Sequence, residues 1–145
     1  MVDIPMVQLD PELPIPERAR SGDAGIDLLA RAGVILRSQG GRALVATGIA
    51  VELPGGLAGL VLPRSGLALR HGVTCLNAPG LIDPGYRGEI GVILVNTDPT
   101  RDYEVCRGDR IAQLILVRFE DALLVAAGSL GESERGAGGF GHTGI

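Results

Sequence analysis

The chain has 145 residues, 46% of them apolar and 21% charged, which suits one globular domain and excludes a disordered chain. Its formal net charge of -4 argues against a general nucleic-acid binder, so no stable nucleic-acid binding is expected. All 13 basic residues are Arg, which excludes a P-loop lysine, a Schiff base and a Ser-Lys dyad and leaves Arg and backbone N–H groups to hold any phosphate.

With 23 Gly and 9 Pro, the sequence favours many short strands joined by turns. Ile4 to Leu9 reads as a first strand, followed by a Pro-rich stretch from Pro11 to Pro16. Ile26 to Ala30 is a second strand. Ala43 to Leu53 is a longer one, stopped by Pro54-Gly55-Gly56, and Leu57 to Leu62 runs into Pro63. Ser65 to Arg70 is the one helical stretch, with Ser65 as its expected N-cap. Glu89 to Asn96 and Ile111 to Phe119 are strongly apolar strands, and Leu123 to Ala127 is expected to finish the globular part. This spacing indicates an all-β sandwich, barrel or jelly roll. Strands apolar on both faces suggest a subunit interface as well as a core.

From Gly128 the composition changes, and the last 18 residues contain seven Gly. The expected organisation is a domain over 1–127 and a Gly-rich arm over 128–145. A bland terminus fits that composition. Arg135-Gly136-Ala137-Gly138-Gly139-Phe140-Gly141 adds a guanidinium, glycines that let backbone N–H groups approach an anion, and one aromatic face. Cys75 and Cys106, with His71 and His142, form no zinc-type pattern. No signal-peptide h-region or membrane-length apolar run is present, so a soluble, cytoplasmic protein without membrane contact is expected.

Five segments carry chemistry. Ala24 to Leu28 places Asp27 in an apolar strand, where it needs an Arg or a hydrated metal as partner. Pro63 to Ala68 joins an Arg, a Ser hydroxyl and a helix start, three groups suited to an anion. Asn77 to Glu89 reads as a hairpin, with Pro84-Gly85 at the centre of a type II turn. Asp83 stands at its rim with Tyr86 nearby, though an Asp before Pro-Gly is by itself more often a turn-capping residue. Arg107 to Leu114 sets two Arg and Gln113 at the start of an apolar strand, and the tail is the fifth segment.

In this order, the five segments resemble the motifs of the trimeric dUTP diphosphatase (dUTPase) family. That resemblance implies a distorted jelly-roll, β-barrel-like subunit of β-clip type with one short helix. It implies a homotrimer whose flexible C-terminal arm closes over sites shared between subunits. The implied reaction is Mg2+-dependent hydrolysis of dUTP to dUMP and diphosphate by water attack on the α-phosphate. That activity would limit uracil in DNA and supply dUMP for dTTP synthesis. Asp83 would activate the water. Tyr86 would lie under the deoxyribose, and Asn77, Gly80, Leu81, Ile82, Asp83 and Gly91 would read the base through the backbone. Arg64, Ser65, Gly66 and Gln113 would hold phosphates, and Arg135 would grip the γ-phosphate. Phe140, followed by Gly141, would stack on the base. Asp27 would orient waters around a magnesium ion held mainly by the triphosphate. Ile26 stands where the family commonly has an aromatic, His142 where it usually has Ser, and Gly91 offers only backbone. A dCTP deaminase or bifunctional deaminase-diphosphatase on the same fold, or a non-catalytic nucleotide sensor, is the competing reading. The Leu81-Ile82-Asp83, Tyr86 and Arg135/Phe140 pattern favours the diphosphatase.

Overall fold

A computed structural model of the chain describes residues 2–138. Its strands, in chain order, are β1 (Met6–Gln8), β2 (Ile26–Leu29), β3 (Val34–Leu36), β4 (Arg42–Ala46), β5 (Ile49–Val51) and β6 (Leu57–Pro63). After the helix α1 (Ser65–His71) come β7 (Val73–Cys75), β8 (Gly80–Ile82), β9 (Gly91–Asn96), β10 (Tyr103–Val105) and β11 (Arg110–Arg118). All pairings are antiparallel. One sheet has the order β2-β11-β6-β8 and another β4-β9-β7, while β1-β5 and β3-β10 form separate pairs. The architecture is mostly β, an open jelly-roll arrangement with one short helix and no closed barrel among the described residues. No helix of the described residues is long and apolar enough to cross a membrane.

The core lies between the inner faces of these sheets. Leu28, Val61, Ile111 and Leu114 share one buried cluster with Val45, Val73, Val92, Leu94, Leu36 and Val105. Aliphatic side chains dominate because the chain contains only two Phe, two Tyr and no Trp.

The expected strand from Ala43 to Leu53 is broken in two. Gly48 takes φ +75 between β4 and β5, and the Thr47 hydroxyl and N–H both donate to the Ile90 carbonyl, at 2.7 and 3.1 Å. That kink passes the chain from a ladder with β9 to one with β1. The helix matches its expected position, but its N-cap is Arg64, in extended conformation, and Ser65 is the first helical residue. Gly72, at φ 63, ends the helix in the left-handed region that favours glycine.

Two further expectations are corrected. Leu123 to Ala127 forms no strand, and Leu123 and Leu124 are 87% and 96% exposed, because no strand among the described residues pairs with them. The hairpin over 77–89 is larger than expected. Its paired arms are β7 and β9, in register at Cys75↔Leu94 and continued by Leu76 N–H donating to the Ile93 carbonyl at 2.8 Å. Within its long connection, β8 turns away and pairs with β6. Tyr86 N–H donates to the Asp83 carbonyl at 3.1 Å, so Pro84 and Gly85 do occupy the centre of a tight turn. Gly85 does not enter the positive-φ region, which excludes the expected type II geometry.

Candidate active site

The divergence of β8 from β9 creates a cleft. β8 is the edge of its sheet and, among the described residues, pairs only with β6. β9 pairs with β4 as far as Ala46↔Gly91, whereas its register with β7 reaches only Cys75↔Leu94. Backbone at 80–82 and 91–92 therefore keeps one edge without a strand partner, which is what reading a base edge through main-chain groups requires. A cavity of ≈ 280 Å³ here is lined by Leu44, Leu81, Ile82, Asp83, Tyr86, Glu89, Gly91 and Ile93. It brings together five residues singled out from sequence: Leu81, Ile82, Asp83, Tyr86 and Gly91. Gly80 and Asn77 adjoin it, and a Cβ on Gly80 would stand 3.4 Å from Asn77 Nδ2.

Asp83 is exposed, and its carboxylate makes no hydrogen bond or ion pair among the described residues. Its two lone-pair-bearing oxygens are therefore free to accept from a water. The turn behind it is braced by Arg87, whose Nη1 donates to the carbonyls of Pro84 (2.6 Å) and Tyr86 (3.0 Å) while Nη2 donates to Glu52 (3.0 Å). Tyr86 Oη donates to the Glu89 carbonyl at 2.9 Å. The Glu89 carboxylate accepts from Gly48 N–H at 2.7 Å and from Arg31 Nη1 at 3.2 and 3.3 Å. Arg31 also lies 3.4 Å from Asp10, which pairs with Arg107 at 2.6 Å. The Arg107 hydrogen bond holds the Asp10 carboxyl down at about 2, against the opposing effect of desolvation.

A second cluster surrounds Asp27, which is 5% exposed. Its carboxylate lies 3.3 Å from Arg64 Nε and 3.5 Å from Arg110 Nη1, and it accepts from Gln113 Nε2 at 3.3 Å. Strand register explains the meeting: Gln113 on β11 stands opposite Asp27 on β2 and Leu62 on β6, two residues before Arg64. Arg64 Nη1 also donates to the Arg110 carbonyl at 3.0 Å. One carboxylate thus faces two guanidinium groups. The excess positive charge, beside Ser65 and Gly66 at the start of α1, suits a polyanion. Gly25 is part of this arrangement, because a Cβ there would lie 3.1 Å from Gln113 Cδ.

The two clusters do not meet within one chain. From the level of Asp27, Gln113 and Leu62 to that of Asp83 is four residues along the strands, about 13 Å, and three strand spacings across, about 14 Å. Arg135 joins neither cluster; its Nε donates to the Gly138 carbonyl at 2.9 Å. Phe140, Gly141 and His142 lie outside the described residues. No group of three or more His, Cys, Asp or Glu side chains suited to a metal occurs among the described residues.

Several residues of the cleft were not singled out from sequence. Leu44 and Ile93 are cross-strand partners on β4 and β9, and their only signal was apolarity on an outward face. Glu89, Arg31 and Arg87 support the cleft through contacts 35 to 58 residues apart, which no local pattern encodes.

A family model described as dUTPase matches residues 11–144. A deoxyuridine 5'-triphosphate nucleotidohydrolase of Thermobifida fusca is 54% identical over 143 residues, covering 99% of this chain and 79% of the relative. Its counterpart in Mycobacterium leprae (strain TN) is 52% identical over 144 residues, covering 96% of this chain and 93% of the relative. Among solved structures, a Staphylococcus bacteriophage 80alpha dUTPase with dUPNHPP superimposes with a TM-score of 0.89 at 27% identity, covering 100% of both chains. A dUTPase of phage phi11 of S. aureus, described for its coordination of a structural Mg(II) ion, has a TM-score of 0.78 at 25% identity, covering 88% and 98% of the two chains.

Proposed function

The chain belongs to the dUTPase family, and from that premise we propose that it hydrolyses dUTP to dUMP and diphosphate, with Asp83 activating the attacking water. The observation that carries the residue assignment is the cleft between β8 and β9. It sets an unpaired Asp83 carboxylate beside Tyr86 and beside strand edges able to read a base. Asp83 accepts a proton from water as that water attacks the α-phosphorus in line with the diphosphate leaving group. Backbone groups from Asn77 to Asp83 and at Gly91 hydrogen-bond the uracil edge. Cytosine presents the opposite donor pattern and leaves buried groups unpaired. The Tyr86 ring lies under the deoxyribose and excludes a 2′-hydroxyl.

Arg64, Ser65, Gly66 and Gln113 hold the phosphate chain. The donor set around them fits Mg2+ bound chiefly by the triphosphate, because Asp27 is the single buried carboxylate there and already faces two Arg. Asp27 would help to hold that ion through water, and the ion would supply positive charge to neutralise the phosphates.

The distance between the two clusters supports a site completed by other copies of the chain in a homotrimer. The uncovered run at 123–125 supports a neighbouring subunit as its cover. Arg135 then grips the γ-phosphate, with Phe140 and Gly141 closing over the base. In a soluble cytoplasmic setting, the reaction keeps uracil out of DNA and supplies dUMP for dTTP synthesis.

The test is diphosphate release from dUTP, dCTP, dTTP and UTP with Mg2+, beside Asp83→Asn. Strong preference for dUTP and a kcat lowered by about 10² to 10⁴ in the variant are expected. Equal rates on all four, ammonia release from dCTP, or an undiminished variant would sink the assignment.

A further inference from the structure

We infer that Gly88 is a positioning residue that sets the plane of the Tyr86 ring and, through it, the choice of deoxyribose over ribose. The inference rests on the reading of Tyr86 as the residue beneath the sugar. A Cβ built on Gly88 would stand 2.5 Å from Tyr86 Oη and 2.6 Å from Cζ, too close for the ring to stay where it is, and 3.0 Å from Cε2, a tight contact. Leaving aside the adjoining residues, these three Tyr86 side-chain atoms are its nearest neighbours. The backbone at Gly88 is outside the positive-φ region, so any L-residue could adopt it. A side chain at this position is therefore opposed by the Tyr86 ring where it now stands, and not by the turn.

The ring is also tied through its hydroxyl. Tyr86 Oη donates to the Glu89 carbonyl at 2.9 Å, and the Glu89 side chain is fixed by Arg31 and by Gly48 N–H. Lying against the bare backbone of Gly88 and tied to Glu89, the ring has one orientation. Adding a methyl group at 88 displaces the ring by rotation of its own side chain, since a Tyr side chain turns more readily than two strands move. The displaced ring opens space on the face where a 2′-hydroxyl would stand.

The experiment compares the full-length wild type, Gly88→Ala and Tyr86→Ala in kcat/KM for dUTP and for UTP. Trimer mass and thermal midpoint are followed alongside. It also records the NMR ring signals of labelled tyrosine. The chain has two Tyr, so Tyr103 serves as an internal reference. Gly88→Ala is expected to fold, to shift the Tyr86 signals alone, and to reduce the dUTP-over-UTP preference about tenfold or more. Unshifted Tyr86 signals in a folded Gly88→Ala overturn the inference whatever Tyr86 does. A wild-type preference in Gly88→Ala, beside a lost preference in Tyr86→Ala, overturns it while leaving the reading of Tyr86 intact. A wild-type preference in Tyr86→Ala removes that reading and the inference with it.

Discussion

Arg64 Nε stands 3.3 Å from Asp27 Oδ1, and Gln113 Nε2 donates to the same oxygen at the same distance. Two proposed phosphate ligands are thus aimed by one buried carboxylate, so Asp27 is expected to act on the phosphate chain through them even before any metal is considered. Asp27→Asn keeps an oxygen in place but removes the charge opposite Arg64 and Arg110. The expected result is a fall of about 10- to 100-fold in kcat/KM for dUTP, with the protein still folded. Steady-state kinetics with a melting curve would check it. An unchanged kcat/KM would mean that Arg64 and Gln113 hold their positions without Asp27.

The extent to which this arrangement is legible in the sequence varies by element. β6, β9 and β11 are long apolar runs ended by Pro, Gly or charge, and they appear where expected. The three-residue strands β3, β7 and β10 are too short to set up a periodicity. The break at Thr47-Gly48 is hidden because the residues on both sides stay apolar. Leu123 to Val125 reads like a core strand for a different reason. Hydrophobicity records that a segment needs cover, and not which chain supplies it. The same limit applies to the site: Asp83 and Tyr86 stand out in one motif, whereas Glu89, Arg31 and Arg87 matter through partners distant in sequence.

The Asp10–Arg107 pair should make stability depend on acid in a defined window. The Asp10 carboxyl falls from 3.8 to about 2 on folding, chiefly through the Arg107 hydrogen bond. A depressed carboxylate contributes stability above its unfolded value, and loses that contribution as pH falls through the folded one. Asp10→Asn should therefore melt below the wild type by a constant interval above about pH 5. The interval should narrow between about pH 4 and pH 2. Asp98 and Asp102, also lowered by hydrogen bonds to backbone and side-chain donors, change in the same sense in both proteins and cancel from the difference. Melting midpoints across this range give the answer. A constant interval down to pH 2 would show that packing, and not charge, is what Asn disturbs.

Leu124, 96% exposed within its own chain, is expected to be covered in the trimer. Leu124→Asp should leave the fold of each subunit intact, because the residue contacts none of its core. It should weaken assembly, since a charge would replace an apolar side chain at a dry interface. Sedimentation at several concentrations would separate trimer from monomer, and circular dichroism would report the fold. A wild-type trimer would place Leu124 outside the interface.

The arm and the water-activating residue should belong to different subunits. Deleting residues from Arg135 onward removes the proposed γ-phosphate grip and the base-stacking Phe140. A loss of about 10²-fold or more in turnover is expected, with the trimer retained. Asp83→Asn removes the proposed base but leaves the arm. Each variant alone is then nearly inactive, and the informative sample is the mixture, unfolded together and refolded. If Asp83 of one chain works under the arm of another, mixed trimers contain sites in which a truncated chain supplies Asp83 and an Asp83→Asn chain supplies the arm. Those sites are complete, so activity should rise well above the sum of the two separate samples. If the arm served its own chain's Asp83, every site in the mixture would lack one component, and no activity would return. Diphosphate release measured against the mixing ratio distinguishes the two arrangements, because recovered activity must peak at intermediate ratios and vanish at both ends.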